Sequence, residues 1–400
     1  MTETVQGPSG TRATVARTYD DVESLRAVWE VLPGGVVTSD IDAFVTTLRA
    51  SEHAPTPYVL LLQDNAGAQA LAICRFEEIV LGAKVGYRSV YSPKVRSITV
   101  VYGGVLGTPS AETAAALLER LREPLANGEA DVVRFRNLRV GSPLHRIATT
   151  APPFLSRQHV ATRTAHWQLE LPASHDDFLK SLSKSTREGV KRYSRKLDRD
   201  FGDRLTLELT DDADGLERFF ADARTVAETT YQHGLGAAVT DDVAHRQLIE
   251  LAARRGWFRA WMLSIDGKPA AFWHGMAYRN VFSIGVPGYD PEYGHLRVGT
   301  YVLMKAIEDL CNDDTVQTVD FGFGDAEYKR RFGTESWEEE DVLVYAPSFR
   351  GARVNLTRAA VVKTVGVAQG AVERLPALQG LKRSWRSRLS SSNAGGKASE

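Results

Sequence analysis

Apolar positions along the chain change their period in an order that occurs twice. Thr14 to Arg17 alternates like a strand. Asp20-Asp21-Val22-Glu23 has the D-x-x-E form of a helix start, and Val22, Leu25, Val28 and Trp29 keep helical spacing. A second helix is predicted over Ile41 to Ala50. Tyr58 to Gln63 and Ala70 to Phe76 read as paired strands around the turn Asp64-Asn65-Ala66-Gly67. β-prone sequence follows from Ser89 to Leu106, then a helix over Ala111 to Leu125 and a strand over Asp131 to Phe135.

The second half opens with a strand over His166 to Leu171 and a long helix over Asp176 to Arg199. A strand over Leu205 to Leu209 precedes helices over Leu216 to Tyr231 and Asp241 to Arg255. Trp257 to Ile265 and Pro269 to Tyr278 form a hairpin about Asp266-Gly267, and Val281 to Val286 is a third strand. Arg297 to Leu310 is an amphipathic helix with Val298, Val302, Ala306 and Leu310 on one side. Val316 to Phe321 is the closing strand. Helix, helix, hairpin, strand, helix, strand is thus repeated. The residues barely match, so the duplication rests on element order. Prolines in Ala151-Pro152-Pro153 mark the seam. The expectation is an α/β protein with mixed sheet, built as tandem domains over 1–160 and 161–347, with a tail over 348–400.

Composition narrows the partners. A chain of 400 residues suits two domains, and 43% hydrophobic with 25% charged residues is ordinary for a globular protein. The net charge of −1 gives no global pull toward nucleic acid or membrane, so any such attraction is local. Cys74 and Cys311 each lie in apolar sequence without metal-type spacing, which predicts two buried thiols and no metal. The polar start MTETVQGPSGTRATV lacks a signal-type apolar region, and no apolar run approaches the roughly 20 residues of a membrane span, so a cytoplasmic protein is expected. From Arg350 to Glu400 basic residues dominate, with Glu373 and Glu400 as the acids. That tail reads either as a packing helix with a polar end or as a peripheral contact to an anionic membrane face, Leu381 to Leu389 above all.

The segment from Val316 to Gly333 concentrates candidate chemistry. An apolar strand ends in the glycine-broken turn Gly322-Phe323-Gly324-Asp325, and Tyr328-Lys329-Arg330-Arg331-Phe332-Gly333 follows. An acid at a strand end, a flexible turn and clustered positive charge is how α/β proteins set chemistry beside a sheet edge. The same residues also suit a solvated helix start.

Four features carry a family resemblance. They are the basic run S-K-S-T-R-E-G-V-K-R after the His166 strand, the turn Gly285-Val286-Pro287-Gly288-Tyr289-Asp290, the Gly299-Thr300 helix start, and Asp320-Phe321-Gly322-x-Gly324 with its Tyr328-to-Gly333 cluster. Over about Thr164 to Pro347 the chain resembles the FemAB/CelD-like branch of the GNAT acyltransferase superfamily; over the first half the likeness is one of element order. The resemblance implies tandem GNAT-like domains and acyl transfer to an amine or hydroxyl. Some members use acyl-CoA, and the Fem peptidyltransferases use aminoacyl-tRNA to build peptidoglycan cross-bridges. It also implies that Lys329 steadies the oxyanion of the tetrahedral intermediate.

Acyl transfer needs donors aimed at that oxyanion and a route for protons. Lys329 suits the first role, or is a surface charge. Tyr328 suits protonation of the leaving group, or packs the loop. Asp320 orients a nucleophile or anchors the turn. His274, on one strand face with Phe272 and Met276, is a general base or a structural histidine. Tyr231 and His233 line an acceptor pocket or close a helix at Gly234. Arg297, Val298, Gly299 and Thr300 open a helix whose N-terminus suits a phosphate. Yet the stretch Tyr293 to Thr300 departs from the family donor loop, because Arg297 is one position out of register and no closing Gly or Ala follows. Lys180, Lys184, Arg187, Lys191 and Arg195 form a basic stripe without interleaved aromatics, either a solvated face or a grip on carrier, tRNA or CoA phosphates. No zinc spacing, P-loop, G-x-S-x-G or paired-carboxylate signature occurs.

The expected function is transfer of an acyl group from acyl-CoA to an amine or hydroxyl of a cell-envelope glycan or precursor. Fem-like transfer from aminoacyl-tRNA, and a non-catalytic module binding an anionic carrier or membrane surface, are the alternatives.

Overall fold

The computed structural model describes residues 3–6, 12–64, 67–85, 88–229 and 242–374. The first half runs β1 (Glu3–Gln6), β2 (Arg12–Ala16), α1 (Tyr19–Ser24), α2 (Arg26–Val31), α3 (Ile41–Ala50), β3 (Thr56–Asp64) and β4 (Gly67–Val80). A small ribbon of β5 (Ala83–Val85) and β6 (Arg88–Tyr91) leads to β7 (Lys94–Gly107), α4 (Ala111–Ala126), β8 (Val132–Arg139) and α5 (Pro143–Thr150). The second half runs β9 (Arg163–Glu170), α6 (His175–Ser181), α7 (Lys184–Phe201), β10 (Leu205–Thr210), α8 (Leu216–Thr229), α9 (Val243–Arg254), β11 (Phe258–Ile265) and β12 (Lys268–Tyr278). Then come β13 (Val281–Ile284), β14 (Gly288–Tyr289), α10 (Val298–Leu310), β15 (Thr318–Phe323), α11 (Glu327–Phe332), β16 (Glu335–Tyr345) and α12 (Phe349–Arg374).

Local chemistry accounts for the boundaries. Asp40 caps α3 by accepting from the Asp42 and Ala43 amides. The β11–β12 turn puts Asp266 and Gly267 at φ of 52° and 73°, the left-handed pair that a tight hairpin requires. The long helix expected over Asp176 to Arg199 is two helices. Leu182 turns into the core and Ser183 takes extended backbone, its hydroxyl accepting from the Thr186 amide at 3.2 Å, so a new helix starts at Lys184.

The two halves share one mixed sheet of 14 strands, in the order β1-β2-β3-β4-β7-β8-β16-β9-β15-β13-β12-β11-β10, with β14 on β12. Neighbours pair antiparallel except β7 with β8 and β13 with β15, which are parallel and occupy equivalent places in the two halves. The halves meet at one crossing strand. β9 opens the second half and pairs with β15 of the same half. β16 closes the second half but pairs with β8 of the first. β9 and β16 pair with each other from Glu335↔Gln168 to Glu340↔Arg163.

Each half buries both faces of its share of the sheet. In the first, Leu117, Leu118 and Leu121 of α4 cover one face and Trp29, Ile41 and Phe44 of α2 and α3 the other. In the second, Val302, Leu303 and Ile307 of α10 cover one face and Phe219, Phe220 and Ile249 of α8 and α9 the other. Val342 and Val344 of β16 lie within the first half's core. Cys74 is buried, whereas Cys311 at the end of α10 is half-exposed, a correction to the expected pair of buried thiols. The start of α12 docks on the first half: Asn355 donates to the Leu155 and Arg157 carbonyls at 3.1 and 2.7 Å, and Val354 is buried. Leu381 to Leu389 lie outside the described residues. Among the described residues no helix is long and apolar enough to cross a membrane.

The crossing of β16 onto β8 makes the halves one cooperative unit. Val344→Ala is expected to cost about 2–3 kcal/mol and to lower protection of β3 and β11 backbone amides together in native-state hydrogen exchange. Loss confined to one half would contradict this coupling.

Candidate active site

β13 and β15 run side by side only from Val281↔Thr318 to Ser283↔Asp320. Beyond that point they part. β13 gives way to a turn that returns Gly288 and Tyr289 to β12, while β15 continues along β9. Gly288 permits the return, because a Cβ there would lie 2.4 Å from the Phe272 ring. The gap opens into a cavity of about 300 Å³ lined by Trp273, Tyr289, Arg297, Gly299, Thr300 and Tyr328, among others. Its floor is the start of α10, where no side chain caps the helix. Arg297 itself adopts the left-handed conformation, φ 60°, and so turns the chain sharply into the helix. Trp273 fixes this floor by donating from Nε1 to the Gly299 carbonyl at 2.8 Å.

Arg297 and Thr300 also line a neighbouring hollow of about 250 Å³ with Ser185, Arg192, Tyr193 and Arg331. Arg297 and Arg192 both lie over the Tyr193 ring, at 6.0 and 5.0 Å from its centroid. Tyr193 thus stands between the Arg192 and Arg297 guanidinium groups, away from the groove that Lys191 and Arg195 line. Three guanidinium groups and a helix N-terminus converge on one opening, an electrostatic setting for a phosphorylated ligand.

Tyr328 and Lys329 sit side by side on α11. The Tyr328 ring meets Trp273 and Phe321 edge-on, at 5.3 and 5.9 Å, and lines the cavity. Burial pushes its hydroxyl up to about 12, so it stays protonated at neutral pH. Lys329 is not a surface charge: it is 7% exposed and its Nζ donates to the Gly322 and Phe323 carbonyls at 3.3 and 2.7 Å. Burial lowers its pKa, and the Asp320 charge opposes the shift.

Asp320 lies inside the sheet. It accepts from the Gly322 amide at 2.7 Å and contacts His166 Nε2 at 2.7 Å. On the other side of the ring, His166 Nδ1 is 3.3 Å from Glu339 Oε1, an ionic contact outside hydrogen-bond geometry. The imidazole is fully buried and stacks on Trp337 at 4.5 Å, with Tyr102 and Phe323 around it. Burial disfavours its charge, but the Asp320 hydrogen bond and the charges of Asp320 and Glu339 outweigh that and raise its pKa to about 9.

The expected residues thus separate. Asp320, Tyr328 and Lys329 come together at the β15 end, and Arg297 to Thr300 form the cavity floor. His274 stands apart, 2% exposed among Phe219, Phe258 and Phe272, and burial pulls it down to about 3. Lys191 lines a groove on α7, while the exposed Lys184 and the half-buried Arg187 line none of these cavities. Lys180 leaves the stripe because α6 ends there and Asp177 pairs with it at 2.8 Å. Tyr231 and His233 lie outside the described residues. Among the described residues no group of three His, Cys, Asp or Glu is arranged to hold a metal. Sequence reading passed over Trp273, Tyr193 and the ionic role of His166. Only for His166 was there a signal, a histidine within an alternating strand, and its partners become visible only through the pairing of β15, β9 and β16.

Residues 184–330 match the family model described as Acetyltransferase (GNAT) domain. The chain carries a GNAT-type acyltransferase domain. The parted strands, the α10 floor and the α11 cluster all fall within its span. No curated protein matches the chain in sequence. The solved structure of FemX superposes with a TM-score of 0.54 at 12% identity, over 81% of this chain and 96% of that one. A conserved protein of unknown function from Bacteroides thetaiotaomicron gives 0.51 at 10% identity, over 86% and 100%. At these identities the likeness is one of fold, and it spans both halves. The FemAB/CelD-like branch is not distinguished by the family match.

The buried imidazolium has a pH signature. His166 has a folded pKa above its ordinary 6.5. It therefore stabilises the fold fully below that value and stops doing so as pH rises through about 9. Urea-unfolding stability is expected to fall between about pH 7 and 10, with His166→Asn losing or inverting that slope. An unchanged slope in the variant would assign it to another group.

Proposed function

We propose that this GNAT-type protein transfers an acyl group from acyl-CoA to an amine or hydroxyl on a cell-envelope glycan or its precursor. The observation that carries the donor assignment is the cavity between the parted β13 and β15, floored by the uncapped α10 start. Arg192, Arg297 and Arg331 beside it suit a pyrophosphate. They replace the basic residue that the displaced Arg297 withholds from the ordinary donor loop.

The chemistry then follows from the side chains at the rim. The acceptor attacks the thioester carbonyl, negative charge builds on its oxygen, and the C–S bond breaks as the intermediate collapses. Lys329 uses two N–H groups on the Gly322 and Phe323 carbonyls and has a third for the oxyanion. Tyr328, held protonated by burial, supplies the proton that the departing thiolate takes up, and the proton lost by the acceptor's amine or hydroxyl restores it. Asp320 holds the bulged turn that carries those carbonyls. His274, neutral and walled in by phenylalanines, is left in a packing role.

A second donor is favoured by one observation. Lys191, Arg192, Arg195, Lys196 and Arg199 line a groove of about 660 Å³ along α7, with Glu188 as its acid. That is more cationic surface than CoA phosphates occupy, and it suits the acceptor stem of an aminoacyl-tRNA.

Calorimetric titration separates the donors. CoA is expected to bind, with Arg297→Ala weakening it about tenfold, the worth of one charge-assisted contact. Binding of charged tRNA with no response to CoA would transfer the proposal to the second donor. Tyr328→Phe is expected to leave CoA affinity intact and to slow turnover about a hundredfold; full turnover would remove Tyr328 from the proton path.

A further inference from the structure

A separate hollow of about 630 Å³ lies between α3 of the first half and α9 of the second, and Arg75, Tyr102 and Arg136 from β4, β7 and β8 contribute to its lining. Arg136 is the unusual member. Its Nε is shielded from solvent and has no hydrogen-bond partner, and no described acid pairs with its guanidinium. The nearby acids are already engaged. Asp341 accepts from Arg134 Nε and the Asn137 amide, each at 3.0 Å, and Glu77 lies 3.0 Å from Arg75 Nε. Burial and repulsion from Arg134 and Arg75 lower the Arg136 pKa, opposed by Asp341 and Glu77. A half-buried guanidinium with no acid paired to it is costly, and an arriving anion lowers that cost.

The acids that line the hollow do not supply that counter-ion. Asp242 caps α9, accepting from the Ala244 and His245 amides at 2.9 and 3.4 Å, and Glu52 is exposed beyond α3. Thr47 and His245 add polar groups to the walls. One wall residue also touches the segment that holds Lys329. Tyr102 lines it and meets Phe323 edge-on at 5.5 Å, and the Phe323 carbonyl receives Lys329.

We propose that this hollow binds the phosphate or carboxylate of the acceptor substrate, with Arg136 and Arg75 as its ligands. The acceptor would then approach the β15 end from the Tyr102 side, while the donor occupies the cavity beside Tyr328. This rests on the acyl-transfer reading for the word acceptor, but the anion site itself is independent of it.

The test uses inorganic pyrophosphate and glutarate, titrated into the full chain carrying Arg297→Ala so that donor-cleft anion binding is suppressed. At least one probe is expected to bind, pyrophosphate indicating a phosphate ligand and glutarate a carboxylate. Adding Arg136→Gln is expected to weaken it about tenfold or more, and Arg136→Lys to retain most of it. Arg136→Gln is also expected to melt no lower than its parent, because it removes an uncompensated charge. No binding of either probe, binding indifferent to Arg136→Gln, or a lowered melting temperature for that variant would overturn the proposal. CoA titration of the chain with Arg297 intact reports on the donor reading separately.

Discussion

The structure depends on one strand pair. β9 and β16 occupy the centre of the sheet, and β16, the last strand of the second half, pairs with β8 of the first. A duplicated domain could have kept its own last strand to itself. The crossing removes that choice: β8 has no neighbour on its inner side unless the second half is folded. The backbone ladder therefore enforces what a side-chain interface between domains usually leaves adjustable. Tyr278 and Arg279 of the second half reinforce it by donating to Asp40 and to the Glu30, Leu32 and Gly34 carbonyls of the first.

Placing charge at such a centre needs compensation, and the seam supplies it. His166 comes from β9, Asp320 from β15 and Glu339 from β16, so the ionic cluster exists only when these three strands are in register. A shift of one residue would turn His166 to the other face and strand both carboxylates. Asp320 extends the effect to the reaction centre, since it also holds the Gly322 amide of the bulge whose carbonyls anchor Lys329. Register, charge and catalytic geometry are thus linked through a few bonds.

Much of the fold was legible from periodicity. The doubled order of helices, hairpin, strand and helix followed from apolar spacing, and the Asp266-Gly267 turn from its composition. The crossing of β16 onto β8 was not legible, because pattern reveals which face of a strand is buried but not which neighbour it meets. The break at Ser183 was missed because basic residues continue across it at helical spacing, while the signal lay in a cap and a buried Leu182. At the site, the α10 start and the Tyr328–Lys329 pair stood out as motifs. His166 and Arg136 did not, since a histidine or arginine in a strand becomes unusual only when its partners, or their absence, are seen.

Lys329 shows why this matters for chemistry. A lysine on an exposed helix would interact with a developing oxyanion through water and at high effective dielectric. Here two backbone carbonyls fix the ammonium, and burial strips it of solvent. Those carbonyls belong to the glycine-broken turn between Phe321 and Asp325, where Gly322 and Gly324 adopt φ of 67° and 101°. Side chains with a Cβ rarely accept that backbone, so the turn can direct consecutive carbonyls inward only with glycine at those positions. Removing the Nζ would leave two buried acceptors unsatisfied as well as the oxyanion uncompensated. A loss of activity on replacing Lys329 therefore mixes structure with catalysis. Tyr328, whose hydroxyl makes no bond that holds the turn, is the cleaner probe of the chemical step.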